Sequence, residues 1–128
     1  MDFGVNVSFE GGLAIHQKDH FQGLLGGEGY AAVPKAHWGE LYFEADEVAA
    51  IEQRLKEAGA PFVHPLREQP WGQRVLRCYD PDGHVVEIGE TMEAVVERMF
   101  RQGASAEAIC QKTAMPSSFV DGVLATLK

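Results

Sequence analysis

The sequence predicts an α+β fold, in which a strand, a helix and three further strands over residues 40–90 build one sheet. Residues 40–45 alternate between polar and apolar side chains, which is the period of a half-buried strand. Residues 48–58 repeat apolar side chains at helical spacing, and Gly59 is suited to end this helix. Helical patterns dominate residues 91–128, so a helical C-terminal segment is expected to follow the sheet.

The other elements of this unit follow from local residue types. The first strand has two alternating sets of side chains, which are Leu41, Phe43 and Ala45 against Glu40, Tyr42 and Glu44. Further strands are predicted over residues 61–66, 74–79 and 84–89. The sequence DPDG at residues 80–83 predicts a tight turn, because proline supplies a φ of about −65° and glycine closes the turn.

A short hairpin is predicted before this unit. Strands over residues 5–9 and 13–17 are joined by a Glu-Gly-Gly turn. Residues 20–25 are expected to form a helical turn, and residues 26–38 are expected to form a linker or an exposed strand.

Three helices are predicted in the C-terminal segment. Thr91 is suited to cap the first helix and Gly103 to end it. Ser105 is suited to cap the second, and Pro116 suits the first turn of the third. Residues 107–123 have the spacing of a helix-turn-helix, but the last helix carries no arginine and only the terminal Lys128. DNA readers need such cations, so we expect this tail to pack or to dimerise.

Composition limits the classes of partner. The 128 residues suffice for one ordinary domain with a small appendage, and 45% of them are hydrophobic. The 19 acidic residues outnumber the 11 Lys and Arg residues, for a net charge of −8, so nucleic acid and anionic membranes are not expected partners. No apolar run approaches the roughly 20 residues of a membrane span.

Cysteine usage and the N-terminal sequence favour a cytoplasmic protein. The two cysteines, Cys78 and Cys110, are far apart in sequence, as expected for reduced thiols, and Cys78 is predicted to lie in the core. The first residues have neither the basic nor the apolar region of a signal peptide, so no leader is expected.

Several motifs resemble the second βαβββ module of the vicinal-oxygen-chelate superfamily, which contains glyoxalase I, bleomycin-resistance proteins and extradiol dioxygenases. The motifs are ELYFEADEV, LKEAGAPFVHP and EQPWGQRVLRCYDPDGHVVEIGE, and the pattern DPDGH followed by two apolar residues and Glu is the most specific. DFGVNVSFEGGLAIHQK resembles the late strands of the first module. The resemblance implies a cupped mixed sheet in residues 1–90. Residues 1–37 are then a remnant of the first module, residues 38–90 a complete second module, and residues 91–128 a helical tail.

This resemblance also implies an oligomer. Members of the superfamily begin with a strand and a helix for which this sequence has no counterpart, so one edge of the sheet is expected to lack a partner. We therefore expect a homodimer or higher homo-oligomer, in which another copy of the chain completes the sheet or the cleft.

The resemblance assigns a candidate site. It places a small molecule in the cleft together with a divalent metal, which is zinc, nickel, manganese or iron. Glu40 and Glu87 match two metal-ligand positions. His16 matches a third, or else Ile15 or Gln17 does if the turn aligns one residue differently. Glu87 is also the candidate catalytic residue.

The candidate ligand-binding residues are Trp71, Arg74, Glu40 and Tyr42. Several of the candidate site residues have an alternative structural interpretation. Glu40 and Glu87 are equally typical of solvated strand edges. Trp71 is equally typical of a residue packed on the sheet, and Arg74 of a surface ion pair. His64 and His84 are interpreted as surface residues, and His37 as part of the linker.

Three functions are compatible with the sequence. The first is metal-free binding of a small planar or cationic molecule, and the second is a divalent-metal-dependent lyase, isomerase or dioxygenase-type enzyme acting on a small oxygenated substrate. The third is a regulatory or interaction module that acts through the helical tail. Loss of the first strand favours binding over catalysis, because the superfamily scaffold by itself does not specify a reaction.

Overall fold

A computed structural model describes residues 2–8, 10, 14–27, 29, 39–80 and 83–127. In these residues six strands and five helices follow one another, which confirms the α+β prediction. The strands are β1 (Asn6–Ser8), β2 (Ala14–His16), β3 (Glu40–Ala45), β4 (Phe62–Glu68), β5 (Arg74–Tyr79) and β6 (Val85–Glu90). The helices are α1 (Lys18–Leu25), α2 (Val48–Glu57), α3 (Met92–Arg101), α4 (Ala106–Thr113) and α5 (Ser117–Thr126).

The main sheet contains four strands in the order β3-β6-β5-β4. β3 runs parallel to β6, whereas β5 is antiparallel to both β6 and β4, so the sheet is mixed. In this register Glu87 of β6 lies between Tyr42 of β3 and Arg77 of β5. Side chains on adjacent strands at such positions point to the same face of a sheet, so the register brings polar groups of three strands together.

The helix ends confirm several predictions made from capping residues. Thr91 Oγ1 accepts a hydrogen bond from the Ala94 amide, and Ser105 Oγ accepts one from the Ala108 amide. Gly59 ends α2 with φ 70°, and Gly103 follows α3 with φ 94°. Glycine adopts such left-handed values without steric strain, which is why these helices end where they do.

Helix α1 packs on one face of the sheet. Phe21 and Leu25 of α1 are buried against Val63 of β4 and Val85 of β6. The predicted helical turn at residues 20–25 is therefore a full eight-residue helix, and its burial places the segment directly over the polar side chains of the sheet.

The helical tail has its own apolar core, and one buried acid joins it to the sheet. Val96, Ile109 and Val120 form the centre of this core. Glu90, at the end of β6, is almost fully buried and accepts hydrogen bonds from the guanidinium groups of Arg74 and Arg98. A buried carboxylate needs such partners, and the contact with Arg98 of α3 attaches this helix to the sheet.

Strand β3 lies at an edge of the sheet and exposes its apolar side chains. Leu41 and Phe43 are each 56% exposed, while Glu40 and Tyr42 on the opposite face are half-buried. The alternation predicted for residues 40–45 is present, but in this single chain Glu40 and Tyr42 of the polar set face inward while Glu44 is exposed.

Several sequence predictions lie outside the described residues. These concern most of the linker at residues 26–38, which includes His37, the centre of the turn at residues 80–83, and the predicted hairpin turn at residues 11–12. Of the turn at residues 80–83, the structure describes Gly83 with φ 84° and a backbone hydrogen bond from Gly83 to Asp80. Within the described ranges, none of the helices has the length and apolar character needed to cross a membrane.

Candidate functional site

A buried arginine lies at the centre of the polar cluster on the inner face of the sheet. Arg77 is only 1% exposed. Its Nε donates to Glu40 Oε2 over 2.7 Å, and its Nη2 approaches Glu40 Oε1 at 3.3 Å. The same Nη2 donates to Glu87 Oε2. The guanidinium therefore lies between two carboxyl groups that arrive from strands β3 and β6.

Two histidines extend this cluster. His64 Nε2 lies 3.2 Å from Arg77 Nη1, and His64 Nδ1 lies 2.8 Å from the Pro65 carbonyl oxygen. A carbonyl oxygen can only accept a hydrogen bond, so His64 carries its proton on Nδ1, which faces the Pro65 carbonyl. A guanidinium can only donate, so His64 presents the lone pair of Nε2 to Arg77. His16 Nε2 lies 3.5 Å from Glu40 Oε1, the oxygen that Arg77 Nη2 also approaches.

Helix α1 closes the cluster from above. The carbonyl oxygen of Leu24 accepts hydrogen bonds from the side chains of Arg67 and Arg77. The ring of His16 stacks on His20 of α1 at a centroid distance of 5.8 Å and also contacts Phe21. The charged groups are thereby shielded from water, which strengthens their mutual electrostatic interactions.

Burial shifts the proton affinities of these groups. Burial and the neighbouring carboxyl of Glu40 raise the pKa of Glu87 to about 9, against the opposing effect of Arg77. Burial lowers the pKa of His64 to about 4 and also lowers that of His16. Near neutral pH Glu87 thus keeps its proton and both imidazoles are neutral, so Glu87 is able to donate a proton to a bound molecule.

The arrangement does not fit a divalent metal between Glu40 and Glu87. Carboxylate and imidazole donors of the type that zinc or manganese prefers are present. The guanidinium of Arg77, however, occupies the space between them and takes up their lone pairs. In the part of the chain that the structure describes, no three His, Cys, Asp or Glu side chains are grouped so as to hold a metal ion.

The structure brings some of the predicted residues together and separates others. Glu40 and Glu87 meet at Arg77, and His16 touches Glu40. Tyr42 follows Glu40 along β3, and its hydroxyl accepts a hydrogen bond from the Gln73 amide at 3.0 Å. Trp71 donates from Nε1 to Gln73 Oε1 over 2.9 Å, and Tyr42 is in turn the cross-strand neighbour of Glu87. Arg74 lies apart from this cluster in its ion pair with the buried Glu90.

Gly89 makes room for the contact between Tyr42 and Gln73. A Cβ atom at this position would lie 2.9 Å from both the Tyr42 ring and the Gln73 amide nitrogen. Real Cβ contacts are not that short, so only glycine permits Tyr42 to lie flat across β6. The position of the Tyr42 hydroxyl thus depends on residue 89 being glycine.

Sequence reasoning missed Arg77 and misplaced His64. The prediction that His64 lies at the surface was wrong, because its side chain is packed under α1 and is 7% exposed. His84 is exposed and Cys78 is buried, as predicted. A signal for Arg77 was present, since it is a charged residue in the middle of the apolar strand sequence VLRCY. Such a residue needs a buried partner of opposite charge, which the facing strand provides.

Comparison with protein families gives a match for the part of the chain that contains the two sheets. Residues 1–93 match the family model described as a glyoxalase-like domain. No curated protein matches the chain.

Solved structures give three further comparisons. A protein of unknown function from Agrobacterium tumefaciens str. C58 is 39% identical, with 71% of each chain covered and a TM-score of 0.39. TioX from Micromonospora sp. ML1 is 31% identical over 40% of each chain, with a TM-score of 0.39. A glyoxalase/bleomycin resistance protein/dioxygenase from Nocardioides is 22% identical over 70% of this chain and 64% of its own, with a TM-score of 0.40.

Proposed function

Because the chain belongs to the glyoxalase-like domain family, we propose that it binds a small cationic molecule on the sheet face that carries Glu40, Arg77 and Glu87. The observation that carries this proposal is the buried polar cluster itself. Two carboxyl groups, one guanidinium and two imidazoles are concentrated beneath α1, where apolar side chains alone would pack more favourably.

An unpartnered atom supports a ligand at this cluster. His16 Nδ1 is buried and has no hydrogen-bond partner within the described residues. Buried polar atoms are nearly always hydrogen-bonded, and an exception at a cluster of charged groups is typical of a place where a bound molecule supplies the partner.

The charges favour a cation as the ligand. At the centre of the cluster the two carboxyl groups of Glu40 and Glu87 share the guanidinium of Arg77, while Arg67 reaches the cluster at the Leu24 carbonyl oxygen. Near neutral pH Glu87 retains a proton beside Arg77, because its pKa is raised to about 9. A ligand with a protonated amine or amidine replaces that proton, so its binding releases a proton to solvent.

A second copy of the chain is part of the proposal. β3 lies at the edge of the four-stranded sheet and exposes Leu41 and Phe43, which is unfavourable for a free strand. Phe3, Val5 and Val7 add further exposed apolar surface near the N-terminus. A homodimer that covers these side chains also completes the cleft beside Glu40, with the helical tail as a packing or dimerisation element.

A metal-dependent lyase, isomerase or dioxygenase is the less favoured function. It requires a divalent metal between Glu40 and Glu87, and the contacts of Arg77 with both groups oppose this. Glu87 stays the candidate catalytic residue for any reaction that needs a proton donor, because its pKa is raised to about 9.

A ligand panel tests the proposal. Small amines, amidines and planar cations, with neutral and anionic analogues, are screened by thermal shift and by the tryptophan fluorescence of the full chain, and hits are measured by titration calorimetry. Glu40→Gln is expected to weaken the binding of a cationic hit by about 10-fold or more, the loss typical of a charged hydrogen bond. Glu107→Gln on the exposed face of α4 is the matched control and is expected to leave binding unchanged.

The number of protons released on binding is the second measurement, and it is obtained by calorimetry in buffers of different ionisation enthalpy. Binding of a cation is expected to release a proton near neutral pH, and Glu87→Gln is expected to abolish this release. A hit whose affinity is the same in the wild type and Glu40→Gln, or a panel without any cationic hit, contradicts the proposal.

A further inference from the structure

We infer that the Arg77 guanidinium is a built-in cation in place of a divalent metal, and that its removal turns Glu40, Glu87 and His64 into a metal site. The wild-type chain then works without metal at this position. This inference concerns the protein alone, so it is tested without any ligand and stands or falls separately from the proposed function.

The contacts of Arg77 are those of a cation with a ligand set. Glu40, Glu87 and His64 reach it from three different strands, β3, β6 and β4. All three present a lone pair to the guanidinium. Glu40 Oε2 lies 2.7 Å from Arg77 Nε, and His64 Nε2 lies 3.2 Å from Arg77 Nη1. Two carboxylates and one imidazole are the donor types that zinc, cobalt and iron take from proteins.

The tautomer of His64 is already that of a metal ligand. Its Nδ1 donates to the Pro65 carbonyl oxygen, so its Nε2 carries the lone pair and points toward the two carboxyl groups. Metal-bound histidines are commonly held in this way, with the other ring nitrogen donating to a carbonyl or a carboxylate. His16, at 3.5 Å from Glu40 Oε1, gives that carboxyl a further contact.

A metal and the guanidinium exclude each other. Arginine keeps its positive charge under all ordinary conditions, and a divalent ion would need the same three lone pairs that the guanidinium occupies, so it is repelled at contact distance. The flat guanidinium also keeps the three donors too far apart for coordination, since zinc bonds to nitrogen and oxygen ligands are about 2.0–2.2 Å long. Removing this side chain eliminates both obstacles and leaves two buried carboxyl groups without a cation.

The experiment compares the full-length wild type with Arg77→Ala and Arg77→Lys. Each protein is stripped of metal, titrated with Co²⁺ and Zn²⁺, and followed by visible absorption, by elemental analysis after dialysis and by melting temperature. Arg77→Ala is expected to bind Co²⁺ stoichiometrically, with ligand-field bands and a higher melting temperature. The wild type and Arg77→Lys, which both keep a buried cation, are expected to do neither.

Second changes identify the ligands. In the Arg77→Ala background, Glu87→Gln and His64→Ala are each expected to weaken Co²⁺ binding by about 10- to 100-fold or more. Glu107→Gln on the exposed face of α4 is expected to leave it unchanged. Arg77→Ser, with a small hydrogen-bonding side chain, replaces Arg77→Ala if the alanine variant does not fold without metal.

The inference is overturned if the wild type binds one equivalent of metal and Glu87→Gln does not. It is equally overturned if folded Arg77→Ala and Arg77→Ser bind no Co²⁺, or if both stay unfolded when metal is supplied during refolding.

Discussion

Arg77 and Glu87 face each other across neighbouring antiparallel strands, and the buried guanidinium donates a hydrogen bond to the buried carboxyl. Glu40 from the parallel edge strand completes the arrangement. A charge-assisted pair of this kind positions two strands relative to each other, and here it lies on the face of the sheet where Arg77 also reaches the Leu24 carbonyl oxygen of α1.

Loss of the Arg77 charge is expected to destabilise the fold strongly. Arg77→Met keeps most of the side-chain volume but leaves Glu40 and Glu87 without a cation, so the free energy of unfolding is expected to fall by about 3–5 kcal/mol. Urea denaturation measures this loss. Arg54→Met, on the exposed face of α2, is the control and is expected to change stability by less than about 0.5 kcal/mol.

A double mutant separates charge from packing in this prediction. Arg77→Met combined with Glu40→Gln removes the cation together with a carboxyl group that it pairs with, so part of the stability is expected to return. Equal losses in Arg77→Met and Arg54→Met would show that the pair contributes nothing.

Stability is expected to fall as pH rises from about 7 to 9. The folded-state pKa of Glu87 is about 9, against 4.5 for an ordinary glutamate, so the folded state holds a proton that the unfolded chain has released. The slope is at most about 1.4 kcal/mol per pH unit for one such proton. Glu87→Gln, which mimics the protonated acid, is expected to flatten the curve.

Protonation of His64 changes the dependence of stability on pH in the opposite direction, and it does so in a lower pH range. Its pKa is lowered from 6.5 to about 4, so its contribution to stability is lost only as pH falls through that range. Urea denaturation at several values between pH 7 and 8.5 therefore isolates the effect of Glu87. A wild-type stability that is constant or rising over this range counts against a protonated Glu87.

Gly89→Ala is expected to destabilise the chain and to displace Tyr42. The new Cβ would lie 2.9 Å from the Tyr42 ring and the Gln73 amide, so one of them has to move. Overpacking of this kind costs about 1–3 kcal/mol. Thermal unfolding measures the loss, and the ring signals of Tyr42 in an NMR spectrum report the displacement.

Gly122→Ala is the matched control for this substitution. Gly122 lies in α5, where a Cβ would meet no atom of the described chain within 4 Å. Alanine in a helix interior is more favourable than glycine by about 0.5–1 kcal/mol, so this variant is expected to be more stable. If both alanine variants shift stability in the same direction, the close approach at Gly89 is not the cause.

The exposed side of β3 is expected to form a contact between two copies of the chain. Light scattering coupled to gel filtration at micromolar concentration is expected to give a dimer or larger oligomer for the wild type. Phe43→Lys places a charge on the exposed edge strand and is expected to shift the protein toward monomer.

A residue outside both β3 and the helical tail provides the control for this prediction. Gln53→Lys on the exposed face of α2 also adds a positive charge, and it is expected to leave the oligomeric state unchanged. A wild type that is monomeric at micromolar concentration would refute the prediction of a homo-oligomer.

The sequence by itself determined the elements and most of their ends. Strands over residues 40–45 and 74–79 were predicted with the observed bounds, and Thr91 and Ser105 were identified as helix caps. These features depend on alternation, capping and glycine conformations, which involve residues close together in the chain. The family resemblance likewise depends on contiguous motifs, and it is confirmed.

Only the tertiary structure decided which polar groups meet. Alternation divides a strand into two faces but does not say which face is covered, and here Glu40 and Tyr42 face inward while Phe43 is exposed. The partnership of Arg77 with Glu40 joins residues 37 positions apart, through the register of strands that are not consecutive in sequence. The burial of His64 beneath α1 depends likewise on packing between distant segments. The family resemblance thus identified the two glutamates as candidates, but long-range strand pairing placed an arginine between them.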